Sequence, residues 1–345
     1  MSTPTSPSSP RVIFFTDFDG TVTRTDPNIT LIDTFGCGRA ARLEREAAVV
    51  RGADTFRDAW TDLSSGVAAN IGLGAACDWL LANDAVAFDP AFTMFWEWCA
   101  APSHRTTTSH EDDDEDINNN NNNNNDAPRF VLGVDEKIDV VILSGGIDAV
   151  IERLLDGLLR RTTSGRRWDL RIVSNHARAV PGSGGIDEAG GWEIAWRDNS
   201  RHGHDKAVEI RKFSQLPADQ RPLMFYAGDG LSDYSAARET DLLFAKKGAG
   251  EWRGRERVCV CPGLTDLLNQ PALVEYCETE YIPHIPFDDF SLITEVVQKI
   301  VGGKLTVQGA LARYGKTYTN LTPVRERPPY EQLGSQPATS YVLPV

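Results

Sequence analysis

Short apolar runs recur along the chain, and several stop abruptly at acidic or glycine-rich positions. "RVIFFT" (11–16) is β-branched and aromatic and ends at Asp17, a pattern that predicts a buried strand. From about Asp26 to Phe88 the apolar positions take the spacing of amphipathic helices, in segments such as "RAARLEREAAVVRG", "FRDAWTDLSSGV" and "LGAACDWLLAND" separated by glycines. This stretch reads as a small helical insertion. "PAFTMFWEWCA" (90–100) predicts a further helix with Pro90 in its first turn, where a missing N–H does no harm. "IDVVILSGG" (138–146) is another apolar run, which meets Ser144 and two glycines. It is followed by an amphipathic helix, "IDAVIERLLDGLLR", and a strand, "DLRIVSN" (169–175). Glycines between β-prone runs in "HARAVPGSGGIDEAGGWEIAWRD" predict an excursion through hairpins. The pattern then gives a helix in "DKAVEIRKFSQL", a strand in "PLMFYAGDG" (222–230), a helix in "SDYSAARET" and a strand in "DLLFAK" (241–246). Strands alternating with helices imply an α/β fold around a mostly parallel sheet.

Composition interrupts this pattern in three places. The start, "MSTPTSPSSP", is a Ser/Thr/Pro tail, and residues 319–345 carry five prolines, so both ends read as unstructured or surface-bound. Residues 101–128 hold "EDDDED" and eight consecutive asparagines, too few apolar groups to offset the entropy of ordering, so a disordered insertion is expected. The expected organisation is a tail (1–10), a core (11–26 and 89–318), a helical cap (27–88), the acidic and Asn-rich insertion (101–128) and a C-terminal tail (319–345). The net charge is −14 and no basic stripe is present, which argues against nucleic acid as a partner. No apolar stretch approaches the ~20 residues of a membrane span and the start has no signal-peptide pattern. The expected location is therefore the cytoplasm, with no membrane partner. Six scattered cysteines then read as reduced thiols, and the sequons at Asn28 and Asn320 carry no consequence. Oligomeric state is not readable from the sequence.

The candidate chemistry lies where the apolar runs end. In an open parallel sheet, ligands bind at the carboxyl ends of the strands. Three runs end in polar signatures: Asp17-Phe18-Asp19-Gly20-Thr21, Ser144-Gly145-Gly146, and Gly228 through Asp233. Four carboxylates at one edge, Asp17, Asp19, Asp229 and Asp233, would repel each other and raise each other's pKa unless a cation sat among them. A hard divalent ion suits such oxygen ligands, and Mg²⁺ suits them best because it is held by a few carboxylates plus waters and substrate phosphate oxygens. In that setting Asp17 can attack phosphorus as a nucleophile, and Asp19 can move protons to and from the leaving oxygen. Ser144 offers a hydroxyl to a phosphoryl group, and Gly145 and Gly146 let backbone N–H groups approach it. Lys206, opening a helix in "GHDKAVEI", supplies the cation that can hold both Asp17 and the phosphoryl oxygens.

With these residues in place, the sequence resembles the haloacid dehalogenase superfamily of phosphohydrolases. "DFDGT", "ILSGG", "GHDK" and "AGDGLSD" match its four motifs in order, between Arg11 and about Lys247. The resemblance implies a Rossmann-like core, a helical cap after the first strand and an obligatory Mg²⁺. It also implies Asp17 as nucleophile, Asp19 as acid/base with its carbonyl on the metal, Thr21, Ser144, Gly145 and Lys206 on phosphate, and Asp229 with Asp233 as metal anchors. More narrowly, "DFDGTVTRTD", "FTMFWEWC", "GHDKA" and "GDGLSDYSAAR" resemble the phosphoserine phosphatase-like branch, around 2,3-diketo-5-methylthio-1-phosphopentane phosphatase and related fungal phosphatases. The implied substrate is a small phosphorylated metabolite: a sugar or polyol phosphate, phosphoserine or a methylthio-sugar phosphate.

Plainer readings stand beside these. Asp17 and Asp19 could cap a turn, Ser144 could be an ordinary N-cap, and Lys206 could be a solvated helix residue with Lys246 or Lys247 in its place. His202 and His204 read as non-ligands, because imidazole is not a typical Mg²⁺ ligand. Cys259 and Cys261 read as same-face strand thiols, and Arg51 and Arg57 as a solvated helix face. Two rival functions remain: a phosphotransferase or mutase using the same aspartates, and a non-catalytic phosphometabolite-binding scaffold. A dehalogenase is disfavoured, since expelling halide needs no acid at Asp19.

Overall fold

The computed structural model describes residues 12–100, 136–161, 170–247 and 273–318. The expectations for both tails, for the 101–128 insertion and for Cys259 and Cys261 lie outside these residues. Seven strands form one sheet: β1 (Val12–Thr16), β2 (Asp139–Ile147), β3 (Arg171–Ala179), β4 (Trp192–Ala195), β5 (Leu223–Gly228), β6 (Leu242–Lys246) and β7 (Ile285–Phe287). Their order is β4-β3-β2-β1-β5-β6-β7, parallel throughout except for the antiparallel β3–β4 pair. β1 is central and buried at every position, which explains an unbroken apolar run where a half-exposed strand would alternate.

Alternate residues of the strands feed two separate cores, as the two-residue period of a strand requires. Phe14, Val140, Ile142, Phe225 and Phe244 face one side. Ile13, Phe15, Val141, Leu143, Met224 and Tyr226 face the other. The first side is covered by α5 (Phe92–Ala100), α6 (Asp148–Arg161) and α9 (Phe290–Val301), with the Phe14 and Phe95 rings edge-on at 4.6 Å. Fully burying rings of this size contributes roughly 1.5–3 kcal/mol each. The second side packs on α7 (Lys206–Ser214) and α8 (Leu273–Thr279), through Ile210, Leu273 and Cys277. α10 (Val307–Tyr314) closes the far edge against β7.

Between β1 and α5 the chain makes α1 (Pro27–Phe35), α2 (Gly38–Val50), α3 (Phe56–Asn70) and α4 (Leu73–Ala82). These are the helices expected for residues 27–88, packed on one another through Leu31, Ile32, Leu63, Val67, Ala76 and Leu80. The insertion is stapled to the chain around the β3–β4 hairpin. Leu73 N donates to Ile186 O at 2.9 Å, Gly190 N to Ala68 O at 2.6 Å, and Arg57 N to Arg201 O at 3.0 Å. Gly72 makes this contact possible, because a Cβ there would lie 2.0 Å from the Asp187 carbonyl oxygen.

Two expected helices differ. Pro90 stands in the turn ahead of α5, which begins at Phe92, so it is not a first-turn residue. "SDYSAARET" forms a 3-10 turn (Leu231–Asp233) and further turns rather than an α-helix. The buried Asp233 side chain draws this segment down to accept the Asp229 and Gly230 amides, and bonds such as Asp233 N to Gly230 O keep the tight i to i+3 pattern.

Candidate active site

Parallel register brings the three polar signatures together. Thr16 pairs with Ile142 on one side and Ala227 on the other, so the residues just after these points, Asp17 through Asp19, Ser144 and Asp229, lie together at the carboxyl ends of the central strands. The Asp17 amide donates to Ala227 O at 2.8 Å, which carries the β5 pairing one residue past the strand. The chain then turns at Gly20, whose φ of +84° lies in the left-handed region. A Cβ at Gly20 would also fall 2.3 Å from Asp229 Oδ2, so glycine answers both the backbone and the space.

Lys206 sits at the centre, fully buried at the first position of α7, behind an Asp205 cap that accepts Ala207 N at 3.0 Å. Its ammonium donates to Asp17 Oδ1 at 2.7 Å, Asp233 Oδ1 at 2.7 Å and Ser232 Oγ at 3.1 Å. Burial disfavours the charged lysine, but Asp17 and Asp233 outweigh it and hold the ammonium above its ordinary pKa. Burial pushes the Asp17 carboxyl up to about 6 against the pull of Lys206, with Asp233 adding to the rise. Neither Lys246 nor Lys247 takes this place: Lys246 donates to Thr21 O at 2.7 Å, and Lys247 pairs with Asp288.

Asp17, Asp229 and Asp233 each bring one oxygen within 4.8 Å of the others. Their surroundings differ. Asp233 is saturated: Oδ1 accepts from Lys206 and from the Tyr226 hydroxyl, and Oδ2 accepts from Asp229 N at 2.9 Å and Gly230 N at 3.0 Å. Asp233 therefore orders the lysine and the Asp229–Gly230 backbone around it while it stands in the same acidic cluster. Asp229 Oδ1 accepts from Thr21 Oγ1 at 3.2 Å, and burial, followed by Asp17 and Asp233, holds its carboxyl well above the usual range. The Thr21 hydroxyl is thus directed at Asp229.

On the other side of Asp17, Asp19 Oδ2 accepts from Ser144 Oγ at 3.2 Å and from Asn28 Nδ2 at 3.1 Å. Its Oδ1 is buried and finds no donor among the described residues. Burial, then Asp26 and Asp17, keep the Asp19 carboxyl well above the ordinary value. The Ser144 hydroxyl also accepts Gly146 N at 2.9 Å, while a Cβ at Gly145 would meet nothing within 4 Å. That open space lets a ligand come up to the loop backbone. The loop is held from behind by His204 Nδ1 on Ser144 O at 2.8 Å and by Asn175 Nδ2 on Gly145 O at 2.8 Å.

All eight sequence candidates thus gather at one sheet edge. Asn28, Asn175, His204, Ser232 and Tyr226 join them without having been singled out as site residues. Ser232 and His204 lie inside the quoted motifs, whereas Asn28 and Asn175 are lone amides whose partners are distant in sequence. Among the described residues no histidine belongs to a metal-sized cluster. Arg51 is exposed, and Arg57 donates to Asn199 Oδ1 at 3.2 Å. No single described helix is long and apolar enough to cross a membrane.

The chain is 33% identical over 286 residues to Pdp3-interacting factor 1 of Schizosaccharomyces pombe, an alignment covering 83% of this chain and 94% of that one. It is 30% identical over 303 residues to polyol phosphate phosphatase PYP1 of Saccharomyces cerevisiae, covering 86% and 97%. Among solved structures, a phospho-aspartyl intermediate analogue of phosphoserine phosphatase aligns with a TM-score of 0.41 at 14% identity, covering 75% of this chain and 91% of that one. No family model matches the chain.

Proposed function

The chain belongs to the haloacid dehalogenase-type phosphatases, and from that premise we propose that it is a cytoplasmic, Mg²⁺-dependent phosphomonoesterase acting on a small phosphorylated metabolite, a polyol or sugar phosphate above all. The observation that carries this reading is the Asp17 carboxylate, pinned by a buried lysine, with Asp229 on one side and Asp19 on the other. The relative named as a polyol phosphate phosphatase supports the substrate class.

Hard oxygen donors fit Mg²⁺: Asp17 and Asp229 would hold it directly, and Asp233 would hold them. When bound, the ion supplies positive charge to the transferring phosphoryl oxygens. Lys206 fixes the Asp17 rotamer, leaving Oδ2 to attack phosphorus and form an aspartyl-phosphate. The Ser232 contact, the longest of the three at the ammonium, is the one a phosphate oxygen would displace. Ser144 and the Gly145 backbone receive the remaining phosphoryl oxygens. Asp19 protonates the leaving alcohol and then takes a proton from the water that opens the acyl-phosphate. The helical insertion serves as a cap that excludes bulk water and limits substrate size.

Asp17→Asn is the direct test, with phosphate release from p-nitrophenyl phosphate and from a panel of polyol and sugar phosphates measured with Mg²⁺ and with chelator. The expected result is loss of turnover in a folded protein, and wild-type turnover that chelator stops. Substantial activity in the variant would overturn the mechanism, and isomerised product without free phosphate would replace it with a mutase.

A further inference from the structure

We propose that Asn28 is a positioning residue for leaving-group protonation: its side-chain amide, carried on the first turn of α1, fixes the orientation of Asp19. This rests on the reading of Asp19 as the acid. Two donors from separate parts of the fold hold Asp19 Oδ2, Ser144 Oγ from the core at 3.2 Å and Asn28 Nδ2 from the helical insertion at 3.1 Å. The other oxygen, Oδ1, has no donor among the described residues and is the one available to the substrate. A carboxyl group held through one oxygen by two crossing hydrogen bonds has little freedom to rotate its working oxygen away.

The amide is itself held in place. Pro27 opens α1, Asp26 caps it, and Asn28 N donates to Asp26 Oδ1 at 2.7 Å, so the backbone that carries the side chain is fixed. Space for the contact comes from Gly146. A Cβ there would lie 2.6 Å from Asp19 Oδ2, 3.2 Å from Ser144 Oγ and 3.4 Å from Asn28 Nδ2. All three groups therefore converge over a position that only glycine leaves open. A solvated residue on the second position of a helix has no reason to turn its amide into this gap. Because Asn28 belongs to the insertion and Ser144 to the core, Asp19 is fully held only when the insertion is seated on the sheet edge.

In the step concerned, Asp17 forms the new bond to phosphorus and the ester P–O bond breaks with its electron pair on the alcohol oxygen. The proton leaves Asp19 for that oxygen, giving a neutral alcohol and an ionised Asp19. An alkyl alcohol needs that proton to depart, whereas p-nitrophenolate does not. The test is kcat/KM of Asn28→Leu, near in shape to asparagine but without a donor, and of Asn28→Ala, on glycerol phosphate and on p-nitrophenyl phosphate with Mg²⁺. Asp19→Asn is run beside them, with circular dichroism and thermal melting to verify the fold. If one Asn28 variant fails to fold, the other carries the comparison. The expected loss is about 10- to 30-fold on glycerol phosphate and no more than about 3-fold on the nitrophenyl ester, a fraction of the ~10²–10⁴ that a general acid contributes. Equal losses on the two esters, or none on either, would overturn the proposal. If Asp19→Asn shows the split and the Asn28 variants do not, positioning fails while the acid stands. If Asp19→Asn shows no split, the acid assignment fails and Asn28 loses its part with it.

Discussion

Acidification should destabilise this protein through one imidazole, His204. The residue is only 3% exposed, and its Nδ1 lies 2.8 Å from the Ser144 carbonyl oxygen, so the Nδ1–H donates and Nε2 carries a lone pair. Nε2 finds no partner among the described residues. Burial, reinforced by Lys206 and Arg197, lowers the His204 pKa to about 4 from its ordinary 6.5, against the pull of the Ser144 carbonyl. Since the folded value is the lower one, the unfolded chain takes up the proton first. The stabilisation is therefore complete above pH 6.5 and is lost as the pH falls through 4. The difference between the two values corresponds to about 3 kcal/mol in full, of which about 2 kcal/mol disappears between pH 7 and 4.5. His204→Asn supplies the control, because its amide nitrogen replaces Nδ1 as donor to Ser144 O and does not titrate. Urea unfolding of both proteins at pH 7 and 4.5 measures the effect. His202 and His284, whose pKa values burial also lowers, are common to both and cancel in the difference. Wild type should lose about 2 kcal/mol more than the variant. Parallel losses would show that the imidazole is not buried neutral behind the Ser144 loop.

Two further outcomes follow from the packing. Lys206→Met leaves the buried Asp17 and Asp233 without their shared cation, so in chelator at pH 8 it should cost about 3–5 kcal/mol in urea unfolding and abolish turnover. That stability loss should shrink toward pH 5 as Asp17 takes up a proton; near-native stability at pH 8 would contradict the geometry. Gly72→Ala drives a methyl group into the Asp187 backbone and should cost about 1–3 kcal/mol, with faster hydrogen exchange at the Leu73 and Gly190 amides. Unchanged exchange there would mean that the staple between α4 and the hairpin segment is not as drawn.

The sequence made the site legible where chemistry and strand ends coincide. "VIFFT" and "LLFA" are unbroken apolar runs because their strands are covered on both faces, and the aspartates that follow Thr16 and Gly228 stand out against such runs by charge. Residues 273–318 received no element in the sequence reading, although Phe290, Ile293, Val296, Val297 and Ile300 repeat at three- and four-residue steps and are all buried in α9. That helix was there to be read. β7 was not: three residues with Pro286 in the middle give no periodicity, and it stands as an edge strand only because β6 offers a partner. The part of Asp233 was legible only as charge, since its four donors come from Lys206, Tyr226 and two amides that the fold alone brings together. Asn28 and Asn175 gave no signal for the same reason. A lone amide has no spacing, and its meaning depends on what stands opposite.

The contacts also tie the helical insertion to the candidate site. Two of its contacts with the rest of the chain lead to different parts of the site. One is short: α1 reaches Asp19 through Asn28. The other runs from α3 through Arg57 to the Arg201 carbonyl and through Thr61 to the Trp196 indole, into the segment between β4 and α7. That segment holds the Ser144–Gly145 loop from behind, directly through His204 and, by way of the Arg197 amide, through Asn175. A displacement of the insertion would thus loosen Asp19 on one side and the Ser144 loop on the other, while Asp17, Lys206 and Asp233, tied to one another and to the turn after β5, would stay in place. The division is a physical one. Asp17, Lys206 and Asp233 are buried charges, and leaving any of them unpaired costs several kcal/mol, whereas Asn28, Ser144 and Asn175 contribute hydrogen bonds from neutral donors whose release costs far less.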